Sequence, residues 1–241
     1  LTNEVLEAIN HDLENTIFSY IPNTAELAFF GLIEGVQQYL NEHKTRQIKE
    51  LGKKATDEQI EKILAFQPRV EKIAIKDAKM RTFITEDSSR KEMVSHVYDV
   101  SYGIVNRGVD SIVIIDDSIV RGTTLRESII SILDRLQPKK IIVVSSAPQI
   151  RYPDCYGIDM SKMGDFVAFK AAMALREKSG DGQAVKAIYE ASKMELTLPA
   201  MQCVNAVKKL YEPFSAKEIS AQIARNVTAC LLYTSDAADD L

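Results

Sequence analysis

The chain has 241 residues, of which 46% are hydrophobic and 27% charged, and its net charge at pH 7 is −4. This balance excludes an intrinsically disordered chain, and the mild acidity argues against a basic nucleic-acid-binding protein. The few glycines (10) and prolines (7) exclude collagen-like and linker-rich chains, and three cysteines without a Cys-x-x-Cys pair indicate neither a disulfide framework nor a zinc ribbon.

No stretch approaches the ~18 consecutive apolar residues of a membrane-spanning helix, and the N-terminal residues do not follow the pattern of a secretory signal. We therefore predict a cytoplasmic protein without membrane or nucleic-acid partners. The sequence opens at Leu1 within an element already under way, so we expect a fragment of a longer protein.

The first part of the chain alternates strand and helix signals. Asn15 to Pro22 is β-branched and aromatic, which predicts a strand, and Ala25 to Tyr39 has helical spacing. A charged insertion at about 41–66 is more typical of a solvated helical excursion than of a binding tract. Val70 to Ile75 has strand character, and Lys76 to Met93 is predicted to be a long, mobile loop.

A βαβ unit follows. Ser111 to Asp116 is a short apolar run of the kind that is buried on both faces of a parallel sheet. A helix with Leu125, Ile129, Ile132, Leu133 and Leu136 on one stripe then leads to a second buried strand, Lys140 to Pro148. These elements predict an α/β domain over residues 1–160, with a parallel sheet flanked by helices and ligands bound beyond the carboxyl ends of the strands.

Residues 161–229 are predicted to form a helical C-terminal extension. Phe166 to Arg176, Gly182 to Met194 and Lys217 to Val227 carry helix formers and lack strand alternation. Residues 230–241 are acidic, are expected to be weakly structured, and resemble a translated adapter, so they are treated as a probable artefactual tail.

The segment from Ile112 to Thr124, IVIIDDSIVRGTT, carries the strongest functional signal. Its strand ends in Asp116 and Asp117, whose adjacent carboxylates suit sugar hydroxyls or a hydrated divalent cation. The loop from Val120 to Thr124 can aim backbone N–H groups and two hydroxyls at one point, next to a helix start. This arrangement predicts a phosphate site.

A purely structural interpretation exists for part of this segment. Thr124 and Glu127 have the spacing of a helix capping box. Capping does not explain two consecutive acids, whose repulsion needs a cation or hydroxyl groups to offset it. The segment matches neither a Walker loop nor a Gly-x-Gly-x-x-Gly dinucleotide fingerprint.

The strand, Asp-Asp pair and Gly-Thr-Thr loop resemble the PRPP-binding motif of type I phosphoribosyltransferases, and the full DDSIVRGTT string resembles the glutamine amidophosphoribosyltransferase family. Three further segments resemble that family in the same order, and four ordered matches rarely arise by chance. They are YIPNTAE (Tyr20 to Glu26), IKDAKMRTFI (Ile75 to Ile84) and SSAPQIRYPDCYGIDM (Ser145 to Met160). The resemblance implies the type I phosphoribosyltransferase fold.

The resemblance also implies roles for individual residues. Asp116 and Asp117 would contact the ribose hydroxyls of PRPP and, with Thr24, lie in the Mg²⁺ shell. Lys76 and Arg81 would act as catalytic groups on the pyrophosphate. The resemblance places the cradle for the 5′-phosphate at Val120 to Thr124. The PRPP-binding positions besides the Asp pair are Ser118, Val120, Arg121, Gly122, Thr123 and Thr124. Alternatively, Thr24 is only a helix N-cap and Lys76 and Arg81 are ordinary solvated charges.

The activity that the resemblance implies is transfer of the phosphoribosyl group of PRPP to ammonia, the first step of purine synthesis. The family's glutaminase half, which supplies ammonia from glutamine, is missing from this sequence, and a homo-oligomer is expected for the intact protein. No iron–sulfur cluster is predicted, because Cys155 is one place away from the family's ligand position and no Cys-x-x-Cys follows.

Three other interpretations of the sequence remain open. One is a phosphoribosyltransferase that uses a nucleobase, another is a PRPP-binding regulator without turnover, and the third is an inactive fragment.

Overall fold

The computed structural model describes residues 1–22, 24–76, 98–100, 103–122, 125–154, 160–227 and 231–234. Its centre is a parallel five-stranded sheet in the order β2-β1-β5-β6-β7, and β3 and β4 form a separate antiparallel pair. The strands are β1 (Thr16–Tyr20), β2 (Arg69–Val70), β3 (Ala74–Lys76), β4 (Tyr98–Val100), β5 (Ser111–Asp116), β6 (Lys140–Ser145) and β7 (Leu231–Thr234).

Helices precede, connect and follow these strands. A π-helical segment, Leu125–Ile130, continues directly into α4, and short 3₁₀ turns occur at Gly52–Lys54, Met163–Asp165 and Ala200–Gln202. The α-helices are α1 (Thr2–Ala8), α2 (Glu26–Leu51), α3 (Asp57–Ala65), α4 (Ser131–Asp134), α5 (Val167–Lys178), α6 (Gly182–Glu195), α7 (Lys208–Tyr211) and α8 (Ala216–Val227). Within the described residues, no helix is both long and apolar enough to cross a membrane.

Successive side chains of β5 point to opposite faces of the sheet, and both faces are covered by helices. Ile112 and Ile114 belong to a core cluster that contains residues of α4, α5 and α8. Val113 and Ile115 belong to a second cluster formed with α1 and α2. The predicted class, a parallel sheet flanked by helices with a helical C-terminal extension, is therefore confirmed.

Helix α2 is much longer than the predicted helix at Ala25 to Tyr39, since it runs on through the charged insertion to Leu51. Lys44, which is only 6% exposed, donates a hydrogen bond from Nζ to the carbonyl of Leu64 at 2.8 Å. This bond ties α2 to α3, whose first turn is closed by a capping box between Thr56 and Gln59.

Two predicted segments differ from the structure. The predicted strand at Val70 to Ile75 is divided, because Val70 ends β2 in the main sheet and Ala74 begins β3 in the antiparallel pair. In the expected weakly structured tail, Leu231–Thr234 forms strand β7, which pairs in parallel with β6. The interpretation of residues 230–241 as an artefact stays a hypothesis.

At the amino end of the sheet, a buried ion pair joins distant parts of the chain. Arg69 Nη1 donates to Asp110 Oδ1 at 2.7 Å, and the side chain of Asp110 is fully buried. Burial works to raise the pKa of Asp110, but hydrogen bonds from Arg69 and from the N–H of Asn106 outweigh it and hold the pKa below its usual value. This pair closes the end of the sheet opposite the candidate site.

Candidate functional site

The candidate site lies at the carboxyl edge of the central strands. β5 ends at Asp116, which is in register with Ser145 at the end of β6. On the other side of β5, Tyr20 at the end of β1 is in register with Ile115. Ligands of parallel α/β sheets bind at this edge, so the topology brings the segments after β1, β5 and β6 to the expected place.

The backbone after β5 is hydrogen-bonded to the backbone after β6. The N–H of Ser146 donates to the carbonyl of Asp116 at 2.9 Å, and the N–H of Ala147 donates to the carbonyl of Asp117 at 2.9 Å. The hydroxyl of Ser146 also donates to the carbonyl of Asp117, at 3.0 Å. These bonds extend the β5–β6 pairing past the strands and fix the backbone that carries both acids.

Each carboxylate of the Asp pair accepts a hydrogen bond from the next amide along the chain. Oδ1 of Asp116 accepts from the N–H of Asp117 at 2.9 Å, and Oδ1 of Asp117 accepts from the N–H of Ser118 at 2.7 Å. Both side chains are half-buried. The two carboxylates are thus oriented by the backbone and retain contact with solvent, which suits binding of polar ligands.

The loop after the Asp pair turns sharply at Gly122, whose φ of +69° is a left-handed conformation that side chains rarely adopt. On one side of this turn, the carbonyl of Val120 accepts a hydrogen bond from the N–H of Val167 at 2.8 Å. On the other side, the N–H of Arg126 donates to the carbonyl of Gly122 at 2.9 Å, which leads into the π-helical segment. Val120, Arg121 and Gly122 are half-buried.

The helix that follows the loop carries the predicted apolar stripe on its buried side. Leu125, Ile129, Leu133 and Leu136 are all buried, and Ile132 packs against the same cluster. Ile130 is buried as well, because the wider π-helical turn brings an additional residue to the buried face.

Thr24 lies in the turn between β1 and α2 and is exposed. Helix α2 has Ala25 at its N-cap, without a side-chain capping hydrogen bond. A structural role of Thr24 as the cap of α2 is therefore not observed. Its position after β1 places it at the same sheet edge as the Asp pair, and its role in a metal shell stays a prediction.

Four predicted site residues cannot be located through their side chains. Arg81, Thr123 and Thr124 lie outside the described residues, and so does the proposed capping of Thr124. For Lys76 only the backbone is described, as the last residue of β3. The predicted roles on the pyrophosphate and in the phosphate cradle stay predictions, as does the mobile loop after Lys76.

The oxygen ligands that the site offers fit a magnesium ion shared with a substrate. No cluster of three or more His, Cys, Asp or Glu side chains that could hold a metal occurs among the described residues. Asp116 and Asp117 provide two adjacent, half-buried carboxylates. Mg²⁺ is commonly bound by one or two carboxylates together with waters and substrate phosphates, so two acids suffice. Of the three cysteines, Cys155 and Cys230 lie outside the described residues, and the absence of an iron–sulfur cluster stays a prediction.

The segment after β6 is anchored to the helical extension by a polar network that the sequence did not predict. Gln149 donates from Nε2 to the hydroxyl of Ser220 at 2.7 Å and accepts from Nη2 of Arg151 at 3.0 Å. The hydroxyl of Tyr211 donates to the carbonyl of Arg151 at 2.9 Å, and burial raises the pKa of Tyr211 well above its usual value. Tyr211 therefore stays a neutral donor.

The sequence predicts no individual role for Ser146, Ala147 or Val167, although all three hold the backbone of the site. For Ser146 and Ala147 a signal was available, because two neighbouring parallel strands that end together bring their following residues into contact. Val167 is far from the loop in sequence, and no local pattern indicates the contact.

No family model matches the chain. Among curated proteins, amidophosphoribosyltransferase from Pasteurella multocida is 46% identical over 59 residues, which is 24% of this chain and 12% of that protein. The Escherichia coli protein of the same name is 45% identical over 58 residues, or 24% of this chain and 11% of that protein. The Staphylococcus aureus protein of the same name is 33% identical over 93 residues, or 36% of this chain and 17% of that protein.

Among solved structures, glutamine phosphoribosylpyrophosphate amidotransferase from B. subtilis, complexed with ADP and GMP, aligns with a TM-score of 0.42 and 24% identity, over 69% of this chain and 30% of that chain. A structure described as the allosteric regulatory enzyme of purine biosynthesis aligns with a TM-score of 0.39 and 23% identity, over 74% and 32%. The resemblance to amidophosphoribosyltransferases that the sequence motifs indicate is confirmed by the curated relatives, over about a quarter of the chain and a small part of their own length.

Proposed function

We propose that this chain is the phosphoribosyltransferase part of an amidophosphoribosyltransferase and has the type I phosphoribosyltransferase fold. It would transfer the phosphoribosyl group of PRPP to ammonia, giving 5-phosphoribosylamine and pyrophosphate at the first step of purine synthesis. The observation that carries the proposal is the Asp116–Asp117 pair and its following loop, at the carboxyl edge of a parallel sheet, in a chain similar to proteins of that name.

The Asp pair would bind the ribose of PRPP. Carboxylates oriented by the N–H groups of Asp117 and Ser118 would accept hydrogen bonds from the two ribose hydroxyls. The loop from Val120 to Thr124 would hold the 5′-phosphate with backbone N–H groups. Ribose and phosphate would thus be fixed at two points, which leaves the anomeric carbon in a defined position.

Asp116, Asp117 and Thr24 would hold Mg²⁺ together with the substrate. Bound Mg²⁺ would neutralise the negative charge that grows on the leaving pyrophosphate. Lys76, the last residue of β3, and Arg81 would contribute further positive charge there.

The reaction requires no nucleophilic side chain. The bond between the anomeric carbon and the pyrophosphate oxygen breaks while the lone pair of ammonia forms the new carbon–nitrogen bond, and the product then loses a proton to water. The transition state resembles an oxocarbenium ion, so positioning of the ribose and exclusion of water contribute most to the rate. In the longer protein a glutaminase domain would supply the ammonia, and the subunits would associate as a homo-oligomer.

The proposal is tested by incubating the chain with PRPP, Mg²⁺ and ammonium chloride and measuring pyrophosphate release. We expect release that depends on ammonium and falls by about a hundredfold or more in Asp116→Asn and Asp117→Asn, the loss typical when a group that stabilises the transition state is removed. Asp134→Asn is the matched control, because Asp134 is exposed and is the last residue of α4, beyond the loop and the π-helical segment. A folded chain that releases no pyrophosphate above the blank would contradict the proposal.

The same experiment distinguishes the alternatives. Pyrophosphate release that requires a purine or pyrimidine base instead of ammonium indicates a nucleobase phosphoribosyltransferase. Calorimetric binding of PRPP without turnover in either condition indicates a regulator. A chain that shows no cooperative unfolding transition on heating is an inactive fragment.

A further inference from the structure

The loop residues Val120 and Gly122 are in direct contact with the helical extension, although more than forty residues separate Gly122 from Val167 in the sequence. Val167, the first residue of α5, is 5% exposed and donates its N–H to the carbonyl of Val120 at 2.8 Å. Val227, the last residue of α8, is also 5% exposed and belongs to the same core cluster. Both valines lie beside the turn at Gly122.

The contact at Gly122 leaves no space for a side chain. A Cβ placed on Gly122 would lie 2.6 Å from Cγ1 of Val167 and 3.6 Å from Cγ2 of Val227. The first distance is shorter than real carbon–carbon contacts allow, so the backbone of the loop rests directly against the branched end of Val167. Because Val167 is branched at Cβ and buried, few χ1 rotamers are open to it, which restricts the movement of this surface.

We propose that Val167 is a positioning residue for the loop backbone at Val120, Arg121 and Gly122. Its N–H holds the carbonyl of Val120, and its Cγ1 methyl group limits the path of the backbone at Gly122, so the loop amides are oriented before the ligand binds. The inference rests on the proposed function in that the ligand is taken to be the 5′-phosphate of PRPP. It adds that the helical extension, through Val167, orients the backbone of that site.

Removal of the methyl groups tests the proposal. Val167→Ala keeps the N–H bond but leaves the backbone at Gly122 without support on one side. We expect the Kd for PRPP, measured by calorimetry with Mg²⁺, to rise by about three- to thirtyfold, as for residues that act through a neighbour. We also expect faster hydrogen exchange at the amides from Ser118 to Gly122 and at Arg126, without ligand.

The matched control is Val36→Ala. Val36 is fully buried in α2 and belongs to the core cluster on the opposite face of the sheet. It should lower the melting temperature at least as much as Val167→Ala, leave the Kd for PRPP within about twofold of the wild type, and leave exchange of the loop amides unchanged. Equal effects of the two variants on both readouts would overturn the proposal.

Val167→Thr separates shape from stability. Threonine keeps both branches at Cβ and the N–H bond, but its buried hydroxyl lowers stability. We expect wild-type binding and loop exchange at reduced stability. If Val167→Thr weakened PRPP binding as much as Val167→Ala, the effect would follow stability and the proposal would be wrong. The same conclusion would hold if Val167→Ala did not fold and Val167→Thr increased hydrogen exchange of the loop amides.

The two readouts keep this inference separate from the proposed function. If the wild-type chain does not bind PRPP, the proposed function fails, and hydrogen exchange in the absence of ligand still decides whether Val167 holds the loop. If the wild type binds PRPP and Val167→Ala changes neither binding nor exchange, the proposed function stands and the positioning role is refuted.

Discussion

Gly122→Ala is expected to be unusually destabilising, because the substitution meets two separate costs. At a φ of +69°, a residue with a Cβ costs roughly 1–2 kcal/mol relative to glycine. The new Cβ would also lie 2.6 Å from Cγ1 of Val167, and overpacking of this kind costs typically about 1–3 kcal/mol. Together these costs predict that the free energy of unfolding falls by about 2–5 kcal/mol.

Gly108 provides a control that isolates the backbone cost. It has the same φ of +69°, but a Cβ there would meet nothing within 4 Å. Gly108→Ala should therefore lose only the roughly 1–2 kcal/mol of the left-handed conformation. In the Val167→Ala background the clash at Gly122 is removed, and Gly122→Ala should then cost about as much as Gly108→Ala.

Urea denaturation followed by circular dichroism measures these differences, and thermal melting gives an independent value. A loss of 1 kcal/mol corresponds to a shift of roughly 2–4 °C for a domain of this size, so Gly122→Ala should melt roughly 4–20 °C below the wild type. If Gly122→Ala were no more destabilising than Gly108→Ala, the packing of the loop against Val167 would be refuted.

Three further predictions concern stability away from the site. Asp110→Asn should lower the free energy of unfolding by about 2–4 kcal/mol in urea denaturation, because it leaves the partly buried Arg69 without its carboxylate. The control is Glu190→Gln, which removes the exposed partner of Lys193 and should change the free energy of unfolding by less than about 0.5 kcal/mol. The pKa of Asp110 is lower in the folded than in the unfolded chain, so its contribution is present above about pH 4 and is lost as pH falls through the folded pKa. Denaturation curves should therefore show the wild type and Asp110→Asn converging as pH falls below about 4, and a constant difference would contradict this sign. Thr56→Ala should cost about 1 kcal/mol in thermal melting by removing the capping box of α3, and an unchanged melting temperature would show that the cap contributes nothing.

Local sequence determined the parts of the fold that depend on periodicity and burial. The isoleucine and valine runs of β5 and β6 are buried on both faces of the sheet, and a strand of that composition has few alternatives. The end of β5 at Asp116 follows from the first charged residues after the run. The position of the candidate site was therefore predictable, since a parallel sheet presents the residues after its strands at one edge.

Tertiary structure alone decided which distant segments hold that site. Valine at position 167 is unremarkable in the sequence, and the structure brings its Cγ1 beside Gly122 because α5 packs on the cluster below the loop. The pair of Arg69 with Asp110 and the strand at Leu231–Thr234 arise in the same way. Periodicity reports which face of an element is buried, whereas the partner of that face is selected by packing of the whole chain, which no local pattern encodes.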